Sequence, residues 1–284
     1  MKFKSTLITL LCSLFFIASA LAEGSKSKTT VTWLGHATFQ VVTPQGTRIV
    51  IDPWLNNPAN PASKANEPDA AVKAIGKCDY ILITHGHFDH VGDAVALAKA
   101  THAKVVTNFE LGANMVKLLG FPKDQAGMDT LGNTGAEIDL AAGDVKVHFT
   151  QAVHSSGLDT GKETDPVAYG GNPVGFVLEI KNGPTIYDTG DTAYFSDMEL
   201  IGKDFHPDLA LVNIGGHFGM EPAQAVQAAA AVKAKLVVPM HYKTFPVLTA
   251  SAAPFFKMLD AKHINHHEME AGKSIEFEGT KFAK

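Results

Sequence analysis

The feature that most constrains this chain is the heptapeptide THGHFDH at residues 84–90, which directly follows the apolar run YILI. Three imidazoles and a carboxylate therefore stand within six positions at the end of a predicted strand. A single loop histidine is ordinarily a solvated or capping residue, but imidazole and carboxylate together are the ligands of divalent metals. We expect His85 and His87 to face one ion. Asp89 and His90 would then face a neighbouring one.

A catalytic metal needs at least three protein ligands and an open position, so further ligands must come from other parts of the chain. Suitable side chains follow three other apolar runs. They are His154, Asp191 and His241, which come directly or shortly after residues 145–153, 185–187 and 236–240. Because each terminates a predicted strand, we expect them to meet the heptapeptide at the rim of a sheet.

This series resembles the ligand series of the metallo-β-lactamase superfamily: HxHxDH at residues 85–90, then His154, then GDT at 190–192, then His241. Three more segments are similar to a branch of metal-dependent hydrolases related to ascorbate-6-phosphate lactonase and to the phospholipase D that cleaves N-acylphosphatidylethanolamines. They are WLGHATF at 33–39, GNPVGF at 171–176 and MHYKTFP at 240–246. The similarity covers nearly all of residues 29–278.

The resemblance implies an α/β fold, a four-layer αβ/βα sandwich with metals at one edge of two sheets. It also implies two divalent ions, with zinc favoured and manganese or iron as alternatives. The implied ligands are His85, His87 and His154 on one ion and Asp89, His90 and His241 on the other, with Asp191 bridging both. A hydroxide held between the ions would then hydrolyse the substrate without a side-chain nucleophile.

The hydrophobic pattern fits this sandwich as two strand-rich halves, each followed by helices. The turn PQG at 44–46 separates two early strands, and Pro222 suits the first turn of a helix. The predicted strands lie near residues 29–34, 37–43, 47–51, 80–83, 144–151, 174–181, 184–187, 209–214 and 236–240. The predicted helices follow the heptapeptide, span 109–119, begin at 222 and lie near 254–261.

Residues 1–22 read as a secretory signal peptide, with two lysines near the start, an apolar core over 7–17 and small residues up to Ala22. We expect cleavage near Ala22, which leaves a hydrolase domain over residues 23–284 with no stable membrane span. An uncleaved anchor is the alternative. The predicted location is the periplasm or the medium.

Charge and cysteine content restrict the function further. The full chain has a formal charge of −5, and loss of Lys2 and Lys4 would leave 22 basic against 29 acidic residues. With Arg48 as the only arginine, a nucleic-acid footprint is not expected. Cys78 would be the one cysteine of the processed chain, and we interpret it as a packed residue rather than a nucleophile.

Several residues outside the ligand series are candidates for catalysis or substrate contact. Asp89 and Asp191 are expected to be catalytic through the metals, and His217, in a glycine-rich segment after a strand, is expected to protonate the leaving group. His36 and Lys243 are expected to approach the substrate, although an outward orientation is nearly as plausible for the lysine. Two loops, 56–68 and 155–172, flank ligand-bearing segments and could form walls of the site.

The leading hypothesis is an exported metal-dependent hydrolase of a small-molecule substrate that carries a lactone, carboxylic ester or phosphodiester bond. No nucleophile elbow, phosphate-binding loop or dinucleotide fingerprint competes with it. The alternatives are a β-lactamase, an iron-dependent oxygenase of the same superfamily, and a non-catalytic protein that binds metal or senses a ligand. The complete ligand series argues against the non-catalytic alternative, because an inactive site is expected to have lost at least one ligand.

Overall fold

A computed structural model describes residues 28–283. The predicted signal peptide lies outside this range. The strands, in chain order, are β1 (Thr29–Trp33), β2 (Phe39–Val42), β3 (Arg48–Ile51), β4 (Tyr80–Leu82), β5 (Lys104–Asn108), β6 (Leu131–Gly132), β7 (Glu137–Leu140), β8 (Val145–Gln151), β9 (Gly157–Leu158), β10 (Ala168–Tyr169), β11 (Val174–Ile180), β12 (Thr185–Asp188), β13 (Leu209–Asn213), β14 (Leu236–Met240), β15 (Ser274–Glu278) and β16 (Lys281–Ala283).

Helices occur at the predicted positions directly after the heptapeptide, over 109–119, from 222 and near 254–261, whereas the helices over 70–75 and 198–205 were not predicted. A π-helical turn, Met115–Leu119, extends the fourth helix, and Pro222 occupies the first turn of the sixth. The helices are α1 (Ala70–Ile75), α2 (Phe88–Val91), α3 (Ala94–Thr101), α4 (Phe109–Asn114), α5 (Met198–Phe205), α6 (Pro222–Val232) and α7 (Ala253–Ala261). Within residues 28–283, no helix has the length and apolar character that a membrane crossing requires.

Two large sheets carry the fold. The first has the order β16-β15-β1-β2-β3-β4-β5-β6, antiparallel from β16 to β3 and parallel from β3 onward. The second has the order β14-β13-β12-β11-β8-β7, with β12, β13 and β14 parallel. The parallel strands of each sheet bring their carboxyl ends to a common edge, which is where polar loops can converge.

The cores follow from the two-residue alternation of the strands. Phe39 and Ile51 of the first sheet pack with Phe149 and Phe176 of the second, in one cluster that also includes residues of α5, α6 and α7. Val50, one residue out of phase with Ile51, belongs instead to a cluster with residues of α1, α3 and α4. The order is helix, sheet, sheet, helix, which confirms the predicted αβ/βα sandwich.

Candidate metal centre

All seven predicted ligands lie together at one edge of the two sheets. The heptapeptide follows β4, His154 follows β8, Asp191 follows β12 and His241 follows β14 directly. Each of these segments thus follows the end of a strand, where side chains can turn toward the space between the sheets, and Asp89 and His90 lie in α2, which begins six residues after β4. The convergence expected from their positions after predicted strands is therefore observed.

Three imidazole nitrogens form the first half of the centre. The Nδ1 atom of His87 lies 2.9 Å from the Nε2 atom of His85 and 3.3 Å from the Nε2 atom of His154. Each of the three imidazoles offers one nitrogen atom such that the three atoms lie within 4.8 Å of one another. This spacing suits three ligands that surround one ion, as the resemblance implied.

The second half consists of carboxylates and two histidines. The Oδ2 atom of Asp191 lies 3.0 Å from His241 Nε2, 3.5 Å from His90 Nε2 and 3.8 Å from His154 Nε2. The Oδ2 atom of Asp89 lies 3.6 Å from His241 Nε2. One oxygen of Asp191 therefore lies between both groups of histidines, which is the position expected of a bridging ligand.

Unpaired nitrogen atoms give a second, independent reason to expect a metal at this site. The Nε2 atoms of His90 and His241 are buried and have no hydrogen bond of ordinary geometry, although carboxylate oxygens lie within 3.0 to 3.5 Å. Leaving a buried polar atom unpaired costs about 1 to 3 kcal/mol. Metal coordination would satisfy both nitrogens, so the residues present fit the divalent ions that the resemblance implies.

Side chains behind the ligands fix how the rings point. Asp52 Oδ2 accepts a hydrogen bond from His90 Nδ1 at 2.7 Å, and both Asp52 oxygens accept from Thr84, one from its amide and one from its hydroxyl. Asn213 Nδ2 donates to Asp191 Oδ1 at 2.6 Å. These contacts leave His90 Nε2 and Asp191 Oδ2 free to face the ion.

Backbone conformation at the centre is also unusual. His36, Asp52 and His241 all have positive φ angles, 53°, 45° and 60°, which residues other than glycine rarely adopt. Gly215 makes room for His241, since a Cβ atom at this glycine would collide with the histidine's carbonyl oxygen and Nδ1 atom. Left-handed backbone thus occurs at three residues whose side chains belong to the centre or support it.

The first three histidines are poised to act as ligands. Burial lowers the pKa of His85 well below its usual value and lowers the pKa of His87 and of His154. The neutral imidazole is the form that coordinates a metal. No proton therefore has to leave these rings at neutral pH.

The second half balances charge in a different way. Burial opposes protonation of His90 and His241, but the nearby carboxylates outweigh it, raising the pKa of His90 well above its usual value and that of His241 to about 9. Burial likewise opposes ionisation of Asp89 and Asp191, yet the surrounding histidines lower both pKa values. Without metal, the protonated histidines lie between carboxylates, with His90 in contact with Asp52 and Asp191 and His241 in contact with Asp89 and Asp191. A divalent ion would replace their protons.

His36 lies behind the ligands rather than on the wall of a cavity. It is fully buried, with Nε2 3.0 Å from Asp89 Oδ2, and Nδ1 2.5 Å from the hydroxyl of Thr244. Burial lowers its pKa to about 4, so the ring is neutral at pH 7. A neutral ring can donate to Asp89 and accept from Thr244, which positions the carboxylate. The predicted proximity to the site is therefore observed, but substrate contact is not.

The other two predicted residues also stand away from the cavity beside the ligands. Lys243 is exposed, lies over the ring of Tyr242 at 5.2 Å and lines a separate cavity with Trp33 and Glu268. His217 is exposed and packs against Phe218, which does face the ligands. The general-acid role of His217 stays a prediction.

The cavity beside the ligands has a volume of about 550 Å³. Of the two loops predicted as walls, 155–172 contributes Ser155, and 56–68 contributes no lining residue. The segment after His241 supplies most of the opposite wall. The lining residues are His87, Phe88, Asp89, His154, Ser155, Asp191, Phe218, His241, Phe245, Pro246 and Val247.

Several residues of this site were not predicted from the sequence. Asp52 follows β3 just as the ligands follow their strands, so the same signal was present in the run RIVID. Asn213 is the last residue of β13. Phe88 and Phe245 are neighbours of ligand motifs and could have been found as apolar residues within polar segments.

Comparison with known proteins agrees with this geometry. A family model described as a beta-lactamase superfamily domain matches residues 47–242. A UPF0173 metal-dependent hydrolase of Anaeromyxobacter sp. (strain K) is 50% identical over 260 residues, 91% of this chain and 90% of that protein. Another from Thermodesulfovibrio yellowstonii is 42% identical over 91% of this chain and 96% of its own. Igni18, a metallo hydrolase of Ignicoccus hospitalis, has a solved structure that is 32% identical with a TM-score of 0.73, covering 88% of this chain and 99% of its own.

Proposed function

We propose that this chain, a metal-dependent hydrolase that belongs to the beta-lactamase superfamily, cleaves a small ester-like bond at a pair of divalent ions. The bond is a lactone, a carboxylic ester or a phosphodiester. The observation that carries the proposal is the place of Asp191 Oδ2, within 3.0 to 3.8 Å of histidine nitrogens from both halves of the centre.

Zinc is the proposed metal, with manganese or iron as alternatives that mixed imidazole and carboxylate ligation also accepts. One ion would be held by His85, His87 and His154. The other would be held by Asp89, His90 and His241, with Asp191 shared. When bound, such a pair polarises the scissile carbonyl or phosphoryl oxygen and lowers the pKa of water.

The protein's own groups hold this arrangement and shape the space in front of it. His36 and Thr244 orient Asp89, Asp52 orients His90, and Asn213 orients Asp191. Because the second oxygen of Asp191 is tied to Asn213, the carboxylate cannot rotate freely away from the histidines. The centre is therefore organised before substrate arrives.

A serine-based hydrolase is the natural competitor, since Ser155 Oγ lies 3.4 Å from His87 Nε2 on the cavity wall. The other nitrogen of that ring faces His85 and His154 rather than a carboxylate. A base in a catalytic triad needs an acidic partner to orient it and stabilise its charge. The contact of His87 with two other histidines supports metal ligation instead.

We also propose that the protein acts outside the cytoplasm, in the periplasm or the medium, after cleavage near Ala22. The composition of residues 1–22 supports this proposal. The test is mass spectrometry of the amino terminus of protein recovered from the periplasmic fraction. A chain that keeps Met1 and remains in the cytoplasm would contradict it.

The proposed reaction is tested with p-nitrophenyl acetate, a lactone panel and bis(p-nitrophenyl) phosphate, before chelation, after chelation and after zinc is restored. Turnover of at least one compound that is lost on chelation and regained with metal supports the proposal. Turnover unaffected by complete metal removal contradicts it. Nitrocefin in the same panel distinguishes a β-lactamase.

A further inference from the structure

The walls of the cavity beside the metal centre are apolar and open to solvent. Phe88 is 58% exposed, Phe218 55% and Val247 56%, although soluble proteins ordinarily bury such side chains. All three lie on this one cavity. Exposed apolar side chains gathered around a concave site are a mark of ligand binding rather than of chance exposure.

Aromatic packing holds one wall in place. The ring of Phe245 stacks on Trp54 with centroids 5.3 Å apart and an angle of 11° between the planes, and Phe88 packs edge-on against both rings. Trp54 in turn contacts His36, which supports Asp89. Phe245 is thus connected through Trp54 and His36 to Asp89, so packing holds this wall in position beside the predicted ligands.

The charged residues on the cavity wall also favour an uncharged, apolar ligand. Its wall includes no lysine or arginine among the residues that the structure describes, and its only carboxylates are the ligands Asp89 and Asp191. Phosphate and carboxylate groups of substrates are usually recognised by arginine or lysine. Lys243, the one cation close in sequence, lies on a different cavity. Apart from the metal site itself, an anionic group of a substrate would meet no lysine or arginine among the described residues of this wall.

From these observations we infer that the substrate is an uncharged carboxylic ester or lactone whose acyl or ring portion is apolar. The apolar portion contacts Phe218, Phe245 and Val247, with the carbonyl at the ligands. In the reaction, water adds its hydroxyl group to the acyl carbon, the ester C–O bond breaks, and the departing oxygen takes the remaining proton. This inference rests on the proposed function and narrows it.

The first test is a chain-length series of p-nitrophenyl esters from acetate to hexanoate, measured as kcat/KM on the metal-loaded enzyme. Burial of each methylene predicts a rise of about fourfold until the cavity is filled. Bis(p-nitrophenyl) phosphate should be the poorer substrate. A flat series, or preference for the phosphodiester, overturns the inference but leaves the proposed function standing. No turnover of any compound removes the proposed function and the inference together.

Variants test whether the named wall is responsible. Phe245→Ala and, separately, Val247→Ala should lower the ratio of hexanoate to acetate kcat/KM. Phe109→Ala is the matched control, since Phe109 is an exposed aromatic on α4 that is absent from the cavity wall, and its ratio should equal that of the wild type. Unchanged ratios in both wall variants would overturn the assignment of the wall.

A readout independent of turnover is calorimetric binding of linear 2-alkanones, which resemble the esters but cannot be hydrolysed. Affinity should rise by about fourfold per methylene, with a negative heat capacity change, on the wild-type protein. Because the apolar wall is formed by the chain itself, the trend should persist after chelation. Affinity that does not change with chain length would contradict an apolar subsite.

Discussion

Asp52 accepts a hydrogen bond from Nδ1 of His90 at 2.7 Å, and both side chains are fully buried. This contact fixes the imidazole so that Nε2 faces the centre. Asp52→Asn keeps the size of the side chain and tolerates the positive φ of this residue. We expect a loss of about 10-fold to 100-fold in metal affinity, the usual cost of removing a partner of a ligating histidine.

Competition with a chromophoric chelator measures this loss. Asp144→Asn is the matched control, because Asp144 is also buried but accepts hydrogen bonds from Thr43 and Thr47. It should lose stability and keep wild-type metal affinity. Equal metal affinity in Asp52→Asn and the wild type would mean that His90 does not need this partner.

Metal binding should release protons at neutral pH. The raised pKa values of His90 and His241, the latter to about 9, mean that both rings are protonated in the metal-free protein at pH 7. Both must lose a proton to coordinate, so we expect release of about two protons and an apparent affinity that rises between pH 7 and 9. Titration calorimetry in buffers of different ionisation enthalpy measures the number. Binding at pH 7 without proton release would contradict these charge states.

The same groups predict how the metal-free protein responds to alkali. A raised histidine pKa contributes stability that is fully present below the unfolded value of about 6.5 and is lost as pH rises through the folded value. For His241 this loss should extend from about pH 6.5 to about pH 9. Urea unfolding at pH 7 and pH 10 measures it. A larger free energy of unfolding at pH 10 than at pH 7 in the metal-free protein would contradict this prediction.

Cys78 should be unreactive in the folded protein. Its thiol is buried and donates to the carbonyl of Tyr80, and burial raises its pKa to about 12. Only the thiolate is nucleophilic, so a disulfide reagent at pH 8 should modify the folded chain of residues 23–284 very slowly and the unfolded chain at once. Rapid modification without unfolding would show that the thiol is accessible.

Ser155→Ala separates metal-based hydrolysis from a serine nucleophile. If Ser155 only contacts His87, its removal should lower kcat by no more than about tenfold, the range of one neutral hydrogen bond. Loss of a nucleophile would instead lower kcat by more than about 10⁴-fold. Ser196→Ala, an exposed serine outside the cavity, is the control for nonspecific effects. A decrease in kcat of more than about 10⁴-fold in Ser155→Ala would show that Ser155, rather than a metal-activated water, attacks the substrate.

The convergence of the seven predicted ligands could be predicted from sequence because each of their segments follows an apolar run, and the ends of neighbouring strands meet at one edge. Asp52 follows an apolar run in the same way, so its place at the rim was predictable, but its pairing with His90 was not. Asp52 and His90 meet because β3 and β4 are parallel in the register that pairs Ile51 with Leu82. That register is a tertiary property, and local pattern does not specify it.

Loop direction was also beyond the sequence. His217 and Lys243 lie in turns after strands, as several of the predicted ligands do, and their φ angles are positive, 26° and 69°, but so is that of His241, 60°. Neither side chain lines the cavity to which Phe218 and Phe245 contribute. A strand end predicts that a residue reaches the rim of the sheet, but the course of the loop decides which way its side chain faces, and the local pattern does not specify that course.

The most direct test of a paired centre is the metal content of the purified, metal-loaded protein, compared with that of Asp191→Asn and of Asp197→Asn, an exposed acidic control. We predict two ions per chain in the wild type and the control. Asp191→Asn should hold fewer than two and lose at least about 100-fold in turnover, because it removes the oxygen shared by both halves. A wild-type protein that never binds more than one ion, or a variant with full metal content and full turnover, would contradict the account.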